Sequence, residues 1–112
     1  MTAQDKVNFS KYGKSFQEGL AALILQDRAF SDQIQEVLET QYFELKYLQV
    51  FVDRIFAYKE KYSVHPSAKI LLTILRTELD DETDAIKTQT RNYFSRIYNA
   101  EIKDEEFIKN TS

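Results

Sequence analysis

Hydrophobic positions between Glu44 and Leu79 follow two helical patterns separated by a short break. From Glu44 to Tyr62 the chain has neither Gly nor Pro, and apolar residues recur at steps of three and four. The inward stripe of this predicted helix is Leu48, Phe51, Val52, Ile55, Phe56 and Tyr62. A neighbouring face holds Tyr47, Phe51, Arg54 and Tyr58 at the same spacing. Apolar surface on more than one face predicts that this long helix is central to the fold.

The break at residues 62–67 predicts a turn followed by a second helix. Pro66 disfavours a helical conformation for His65, and Ser67 is a typical N-cap. The second helix is predicted to run from Ser67 to Leu79, with apolar positions Ile70, Leu71, Ile74, Leu75 and Leu79. Because a five-residue connection normally joins antiparallel neighbours, we expect the two helices to form an αα-hairpin.

Two further helices are predicted before this pair. Ser15 is a candidate N-cap with Glu18 as its capping-box partner, and the helix ends near Gln26. Its predicted core positions are Phe16, Leu20, Leu23 and Ile24. Residues 27–30 are expected to form a turn or short helical link, and Ser31 then caps a helix whose inward positions are Ile34, Val37 and Leu38.

A fifth helix is predicted after the acidic run that begins at Asp80. Asp81 is its candidate N-cap, and Asp84 in the first turn favours the helix dipole. The apolar positions of this helix are Ile86, Tyr93, Phe94, Ile97 and Tyr98. Asp104 is expected to cap another helix, of which the chain holds about two turns before Ser112. An isolated helix of that length is marginal in water, so residues 104–112 are interpreted as the start of a truncated helix, the alternative being a frayed tail.

Composition agrees with one helical domain. The 112 residues are 43% hydrophobic and include only two Gly and one Pro. Sustained alternation and the hairpin pairs Asn-Gly and Asp-Gly are absent, so no sheet is expected. The predicted fold class is all-α, a compact bundle of about five helices around a central long helix. Residues 15–103 form the predicted domain, and residues 1–14 are expected to form a flexible N-terminal arm, either a tail or loosely docked on the bundle.

The order of these features resembles the N-terminal domain of bacteriophage replicative helicases of the DnaB type. The resemblance spans about Phe16 to Thr111 and rests on five consecutive features. They are Phe16 to Asp27, the pair Tyr42-Phe43, the long helix, the break Tyr62-Ser63-Val64-His65-Pro66-Ser67, and the acidic helix start Asp104-Glu105-Glu106-Phe107-Ile108-Lys109. In that family the small helical domain precedes a RecA-like motor, and a helical hairpin and linker lie between them.

The resemblance implies a non-catalytic domain that forms a collar over the motor ring. Its partners would be other helicase subunits, primase and a helicase loader, in the cytoplasm of an infected bacterial host. ATP and Mg would be bound only by the missing motor domain. Candidate docking residues are Tyr47 and Tyr58, which the core stripe leaves outside, and Ile102, Phe107 and Ile108 near the chain end.

Catalytic and cofactor motifs are absent from the sequence. No Gly-x-x-x-x-Gly-Lys-Ser/Thr loop is present to hold a nucleotide triphosphate, so this chain alone is not expected to hydrolyse ATP. His65 has no second His for a zinc pair and is interpreted as structural or exposed. The carboxylates Asp80, Asp81, Glu82 and Asp84 lack the spacing of a calcium loop and are interpreted as a solvated helix start. We therefore expect no catalytic residue, cofactor or metal.

Charge and aromatic content disfavour tight DNA binding. Aromatic residues make up 13% of the chain, but its net charge is -3 and its pI is about 5.2. Single-strand platforms combine exposed rings with a basic groove, so core packing is the favoured role of the rings. The alternative is a local basic patch formed by Arg54, Lys59, Lys61 and Lys69 around the hairpin turn. No cysteine, signal sequence or long apolar span is present, and no membrane association is expected.

Two functions of different class follow from the sequence. The first is the helicase assembly and docking domain that the resemblance implies. The second is a free-standing all-α adaptor or regulator that binds a partner through the helix pair of residues 44–79. A small metal or acid/base enzyme would need convergent ligands, which the sequence does not offer.

Overall fold

The structure is a computed structural model that describes the backbone of residues 9–111 and the side chains of residues 9–98. Residues 9–111 contain five α-helices: α1 (Gly13–Gln26), α2 (Arg28–Ile34), α3 (Lys46–Tyr62), α4 (Ala68–Thr77) and α5 (Asp84–Thr111). Short 3-10 turns precede α1 at Ser10–Tyr12 and α3 at Thr40–Tyr42. Residues 9–111 contain no strand. The predicted all-α class and the number of helices are confirmed.

Helix α3 lies at the centre of the bundle, as predicted. It packs against α1, α4, α5 and the 3-10 turn that precedes it. Leu48, Phe51, Val52 and Ile55 are fully buried along its inward stripe, at the helical spacing read from the sequence. Although α3 is central, α5 is the longest helix, with 28 residues against 17.

The break between α3 and α4 forms as predicted, but the two helices are not each other's main partners. The Ser67 hydroxyl accepts a hydrogen bond from the Ile70 backbone N–H at 3.1 Å, which is the expected N-cap. Helix α4 packs more extensively against α5 than against α3. It ends at Thr77, and Leu79 is fully buried in the loop beyond it rather than in its last turn.

Three predicted caps are wrong because each helix begins at a different residue from the one predicted. Helix α1 begins at Gly13, so Ser15 lies within its first turn. Helix α2 is capped by Asp27, whose carboxylate accepts from the Phe30 N–H at 3.0 Å, and Ser31 is buried inside that helix. At the start of α5, Thr83 rather than Asp81 accepts from a first-turn N–H, at 3.2 Å. Asp84 lies in the first turn, as expected.

The structure bears on both predicted terminal segments. Helix α5 is continuous through Asp104, so no new helix begins there. At the other end, residues 1–8 of the predicted arm lie outside the described residues, and Phe9 is docked on the bundle. Its backbone N–H donates to the Tyr42 carbonyl at 2.9 Å, and its ring makes an edge contact with Phe43 at 5.3 Å between centroids. Gln17 adds a side-chain hydrogen bond to the Phe9 carbonyl at 3.3 Å.

Some apolar positions assigned to the core face solvent instead. They are Phe16, Leu23, Val37, Tyr62, Ile70 and Tyr98. Val37 is 72% exposed because α2 ends at Ile34 and the following turn carries its side chain outward. The others lie at the edges of stripes that are wider than the face each helix buries in a small bundle.

The two glycines provide a test of the start of α1. Gly13 has φ +84° and ψ 174°, a backbone conformation that residues other than glycine rarely adopt. Gly19 lies inside α1, and a Cβ atom added there would meet open space. We expect G13A to lower the free energy of unfolding by about 1–3 kcal/mol and G19A to raise it by about 0.5–1 kcal/mol. Urea denaturation of both variants measures this. Equal signs for the two substitutions would contradict the conformation assigned to Gly13.

Candidate functional site: a cleft between α3 and α4

Tyr47, one of the predicted docking residues, is buried and belongs to a polar network inside the bundle. It is 7% exposed, and its hydroxyl donates to one carboxylate oxygen of Glu18 at 2.5 Å. The Arg96 guanidinium donates to both oxygens of the same carboxylate, at 3.0 and 3.1 Å. These bonds join α3, α1 and α5. The prediction that Tyr47 is a surface anchor is wrong, because the face beside the main stripe of α3 is covered by α1 and α5.

Hydrogen bonding and burial hold this network in one protonation state. The Arg96 guanidinium lowers the pKa of the Glu18 carboxyl, and Glu18 in turn raises the pKa of Arg96. Burial, together with the Glu18 carboxylate, raises the pKa of Tyr47 to about 12. Burial also raises the pKa of Tyr93, whose hydroxyl donates to the Glu18 backbone carbonyl. Because Tyr47, Glu18 and Arg96 are paired with one another at neutral pH, the network is suited to linking α3, α1 and α5 rather than to proton transfer.

Tyr58, the second predicted docking residue, lines a cleft between α3 and α4 that we call the aromatic cleft. Its walls are Arg54, Tyr58, Lys61 and Tyr62 from α3, with Ile74 and Glu78 from α4 and its end. The cleft has a volume of about 130 Å³. The rings of Tyr58 and Tyr62 lie 4.6 Å apart between centroids, and Lys61 Nζ lies 5.3 Å from the Tyr62 centroid. Tyr62 is 53% exposed, so this ring pair is open to a partner.

Arg54 brings a loosely paired cation to the same cleft. Its side chain is 23% exposed, and its guanidinium nitrogens lie 3.7 Å from Asp53 and 3.6 Å from Asp81. These distances allow ionic attraction but exceed ordinary hydrogen-bond lengths. Its Nε atom is buried and has no hydrogen-bond partner among the described residues. Arg54 therefore keeps donor capacity that Asp53 and Asp81 do not use.

A second, polar cleft at the end of α3 is lined by residues that include Asp32, Lys59 and His65, and the Nδ1 atom of His65 is buried there without a hydrogen-bond partner among the described residues. Lys59 is buried, and its Nζ atom donates to Ser31 Oγ at 2.9 Å and to Asp32 Oδ1 at 2.5 Å. This hydrogen bond from Lys59 lowers the pKa of Asp32. His65 Nε2 lies 2.6 Å from the Leu25 carbonyl, so this nitrogen carries the proton and donates. The structural role expected for His65 agrees with this contact.

The alternative basic patch does not form as a continuous surface. Lys59 is withdrawn into its contacts with Ser31 and Asp32, and Arg54 faces two carboxylates. Lys61 and Lys69 are exposed. The two exposed lysines do not make the extended basic groove that a nucleic-acid backbone requires.

The other predicted docking residues, Ile102, Phe107 and Ile108, have side chains outside the described residues. The sequence pattern places Arg54 and Tyr58 on one face of α3 but does not add Tyr62 to them, although a signal is present. The three residues follow one another at steps of four, which places them on one face of α3. Because the pattern assigns Tyr62 to the core stripe, it does not predict an exposed row of Arg54, Tyr58 and Tyr62.

Within the described part of the chain, no group of three or more His, Cys, Asp or Glu side chains is arranged to hold a metal ion. None of the helices described here is both long and apolar enough to cross a membrane. Two acidic residues around the start of α5 make ion pairs: Asp81 lies 3.6 Å from Arg54, and Asp84, in the first turn, lies 3.8 Å from Lys87.

Comparisons with known proteins give no relative. The chain matches no protein-family model, and no curated protein or solved structure matches it.

Proposed function

We propose that this chain is a non-catalytic assembly and docking domain at the N-terminal end of a replicative DNA helicase of the DnaB type. The observation that supports the docking role is the aromatic cleft, where the open ring pair of Tyr58 and Tyr62 lies beside the loosely paired Arg54 guanidinium. In contrast, the polar groups of the Glu18 network inside the bundle are paired with one another. Aromatic and Arg side chains of this kind are typical anchors of protein interfaces.

The helicase assignment is supported by the order of elements along the chain. The aromatic pair Tyr42-Phe43 precedes the central helix α3, the Pro66-Ser67 break caps α4, and a long helix follows. Together with α1, these elements follow the order of four of the five features on which the resemblance rests; the fifth, an acidic helix start at Asp104, lies inside α5. The proposed partners are other helicase subunits, primase and a helicase loader, in the cytoplasm of an infected bacterial cell. ATP and Mg belong to the motor domain of the proposed parent protein.

Sequencing the parent gene beyond codon 112 tests the proposal first. We expect a downstream frame with a helical hairpin, a linker and a phosphate-loop lysine. In the purified parent protein, deletion of residues 1–112 should leave ATP turnover measurable and weaken ring assembly and primase binding, as followed by light scattering and co-sedimentation. The isolated chain should not turn over ATP. Turnover by the isolated chain, or a deletion without effect on assembly and primase binding, would overturn the proposal.

The second candidate is a free-standing adaptor that binds a partner through the helix pair of residues 44–79. One observation favours it: the aromatic cleft is built entirely from α3, α4 and the residue after α4. A stop codon at or near Ser112 would place this candidate first. A motor domain in the same frame would eliminate it.

A further inference from the structure

The outer face of α1 leaves three large apolar side chains open to solvent. Tyr12, at the N-cap, is 53% exposed, Phe16 is 45% exposed and Leu23 is 39% exposed. With Gly19 among them, these positions recur at steps of four, three and four residues, which places them along one side of the helix. We call these four residues the α1 strip. A contiguous apolar strip at this spacing is typical of a surface that packs against another helix.

The aromatic end of the α1 strip is held in place by its own neighbours. The Phe16 ring lies 4.9 Å from the Tyr12 ring and 5.7 Å from the Phe9 ring, between centroids. Phe9 is bonded in turn to the Tyr42 carbonyl through its backbone N–H. Because these contacts orient the exposed rings in advance, a partner that packs on them orders few side chains and loses little entropy.

A glycine lies in the middle of the α1 strip. Gly19 is exposed, and a Cβ atom added there would meet open space. Glycine inside a helix weakens that helix relative to alanine, and the packing of this bundle does not use the vacant space. Without a side chain at this position, a second helix can approach the α1 backbone closely.

The two ends of α1 differ in charge. Lys11 and Lys14 are exposed at the N-terminal end, where the helix dipole disfavours cations, and neither makes an ion pair with a described residue. Glu18, the only carboxylate within α1, is held in the internal network. Asp27 is exposed at the C-terminal end, and Arg28 beyond it faces a carboxylate of its own helix at 3.8 Å. The lysines therefore complement the opposite end of an identical helix.

From these observations we propose that the α1 strip is a self-association surface, on which a second copy of this chain packs with its α1 antiparallel. A two-fold axis beside Gly19 would place Phe16 of each copy opposite Leu23 of the other. The N-terminal lysines of each copy would then lie beside Asp27 and the negative end of the helix dipole of the other. A parallel pair would bring the lysines of the two copies together. This inference rests on the proposed assembly function for its role, and it names the surface through which two copies pair.

The size of the α1 strip indicates a weak dimer. A helix of 14 residues is about 21 Å long and about 10 Å wide, which is well below the area of about 800 Å² that each partner of a standard stable complex buries. We therefore expect a dissociation constant above about 1 μM. In the proposed ring, copies joined through their motor domains would face one another at effective concentrations of about 1 mM, at which weak pairing is sufficient.

Sedimentation velocity of the 112-residue chain, at concentrations from a few micromolar to about 1 mM, tests the surface. The wild type should shift from monomer to dimer as its concentration rises. L23E and F16E should each raise the dissociation constant by at least about tenfold. The matched control is I70E, because Ile70 on α4 is 38% exposed, against 39% for Leu23. Circular dichroism checks the fold of each variant, and F16E decides the question if L23E does not fold.

Cysteine cross-linking tests the orientation, since the chain has no cysteine of its own. G19C lies at the proposed axis and should form a disulfide-linked dimer on mild oxidation. In an antiparallel pair the two copies of residue 15 lie about 13 Å apart along the helix axis, beyond the reach of a disulfide, so S15C should not cross-link efficiently. V37C, at a position that is 72% exposed outside the α1 strip, measures random collision.

Four outcomes overturn the inference: a wild type that stays monomeric at about 1 mM, equal dimerisation of L23E and the wild type, equal weakening by I70E and L23E, or cross-linking of S15C as fast as G19C. A monomer that co-sediments with phosphatidylcholine–phosphatidylserine vesicles through Phe16 and Leu23 would assign the α1 strip to a lipid surface instead. Absence of a downstream motor domain would overturn the helicase proposal and leave the sedimentation result unchanged, whereas a monomeric chain overturns the α1 pairing alone.

Discussion

Substitution of Tyr93 by Ala is expected to lower the free energy of unfolding by about 3–5 kcal/mol, because it removes the largest fully buried side chain of the core. The Tyr93 ring makes edge contacts with Phe51 at 4.9 Å and with Tyr47 at 5.9 Å between centroids. Its hydroxyl also donates to the Glu18 carbonyl. The substitution would therefore weaken the packing of α5 against both α1 and α3. Urea denaturation followed by circular dichroism measures the change.

Two variants control for the loss of a tyrosine as such. Y93F keeps the ring and removes only the hydroxyl, so it should cost about 0.5–1.5 kcal/mol. Y98A removes a 41% exposed tyrosine from the same helix and should cost less than Y93A. If Y98A proved as damaging as Y93A, the assignment of the buried face of α5 would be wrong. Y93F keeps the test informative if Y93A does not fold.

The second large effect is expected at Glu18. We expect E18A to lower the free energy of unfolding by about 1–3 kcal/mol, because the Tyr47 hydroxyl loses its acceptor inside the bundle. Arg96 is 56% exposed and can turn to solvent, so its share of the loss is small. E36A removes an exposed carboxylate and serves as the matched control. Equal effects of E18A and E36A would show that the network contributes nothing to stability.

The lowered pKa of Glu18 also predicts that the stability of the fold depends on pH. Because Arg96 donates to Glu18, the pKa of this carboxyl is lower in the folded than in the unfolded chain. Its contribution is therefore fully present above the unfolded value of about 4.3 and is lost as pH falls through the folded value. Between about pH 5 and pH 3, the wild type should lose more stability than E18Q. Parallel curves for the two proteins would contradict this role of Glu18.

The local pattern of α3 predicts that Tyr58 lies beside the main apolar stripe, but it does not predict which faces of α3 are covered by other helices. Tyr58 was selected from the sequence because it lies beside the main stripe of α3, and the structure places it in the aromatic cleft. Tyr47 was selected by the same reasoning and is buried. The pattern of a single helix does not say which of its faces a neighbour covers. That depends on where α1 and α5 pack.

Local sequence determined the features that depend on nearby residues. The helical spacing along α3 and the absence of Gly and Pro predicted its length, and Pro66 with Ser67 predicted the end of one helix and the cap of the next. These features involve residues within about one helical turn of each other, where steric restriction and capping hydrogen bonds act without the rest of the fold. The all-α class followed from the same signals.

Tertiary structure alone decided the long-range polar contacts. Glu18 was expected to bond within α1, but it bonds to Arg96, 78 positions away. Gln17, which carried no signal in the sequence, is fully buried and accepts from the Glu44 N–H at 2.9 Å. A polar side chain that could reach several partners takes the one that packing brings within hydrogen-bond distance. The sequence by itself therefore determined the helices and their turn, whereas packing decided which polar groups were paired inside and which surface, between α3 and α4, stayed open.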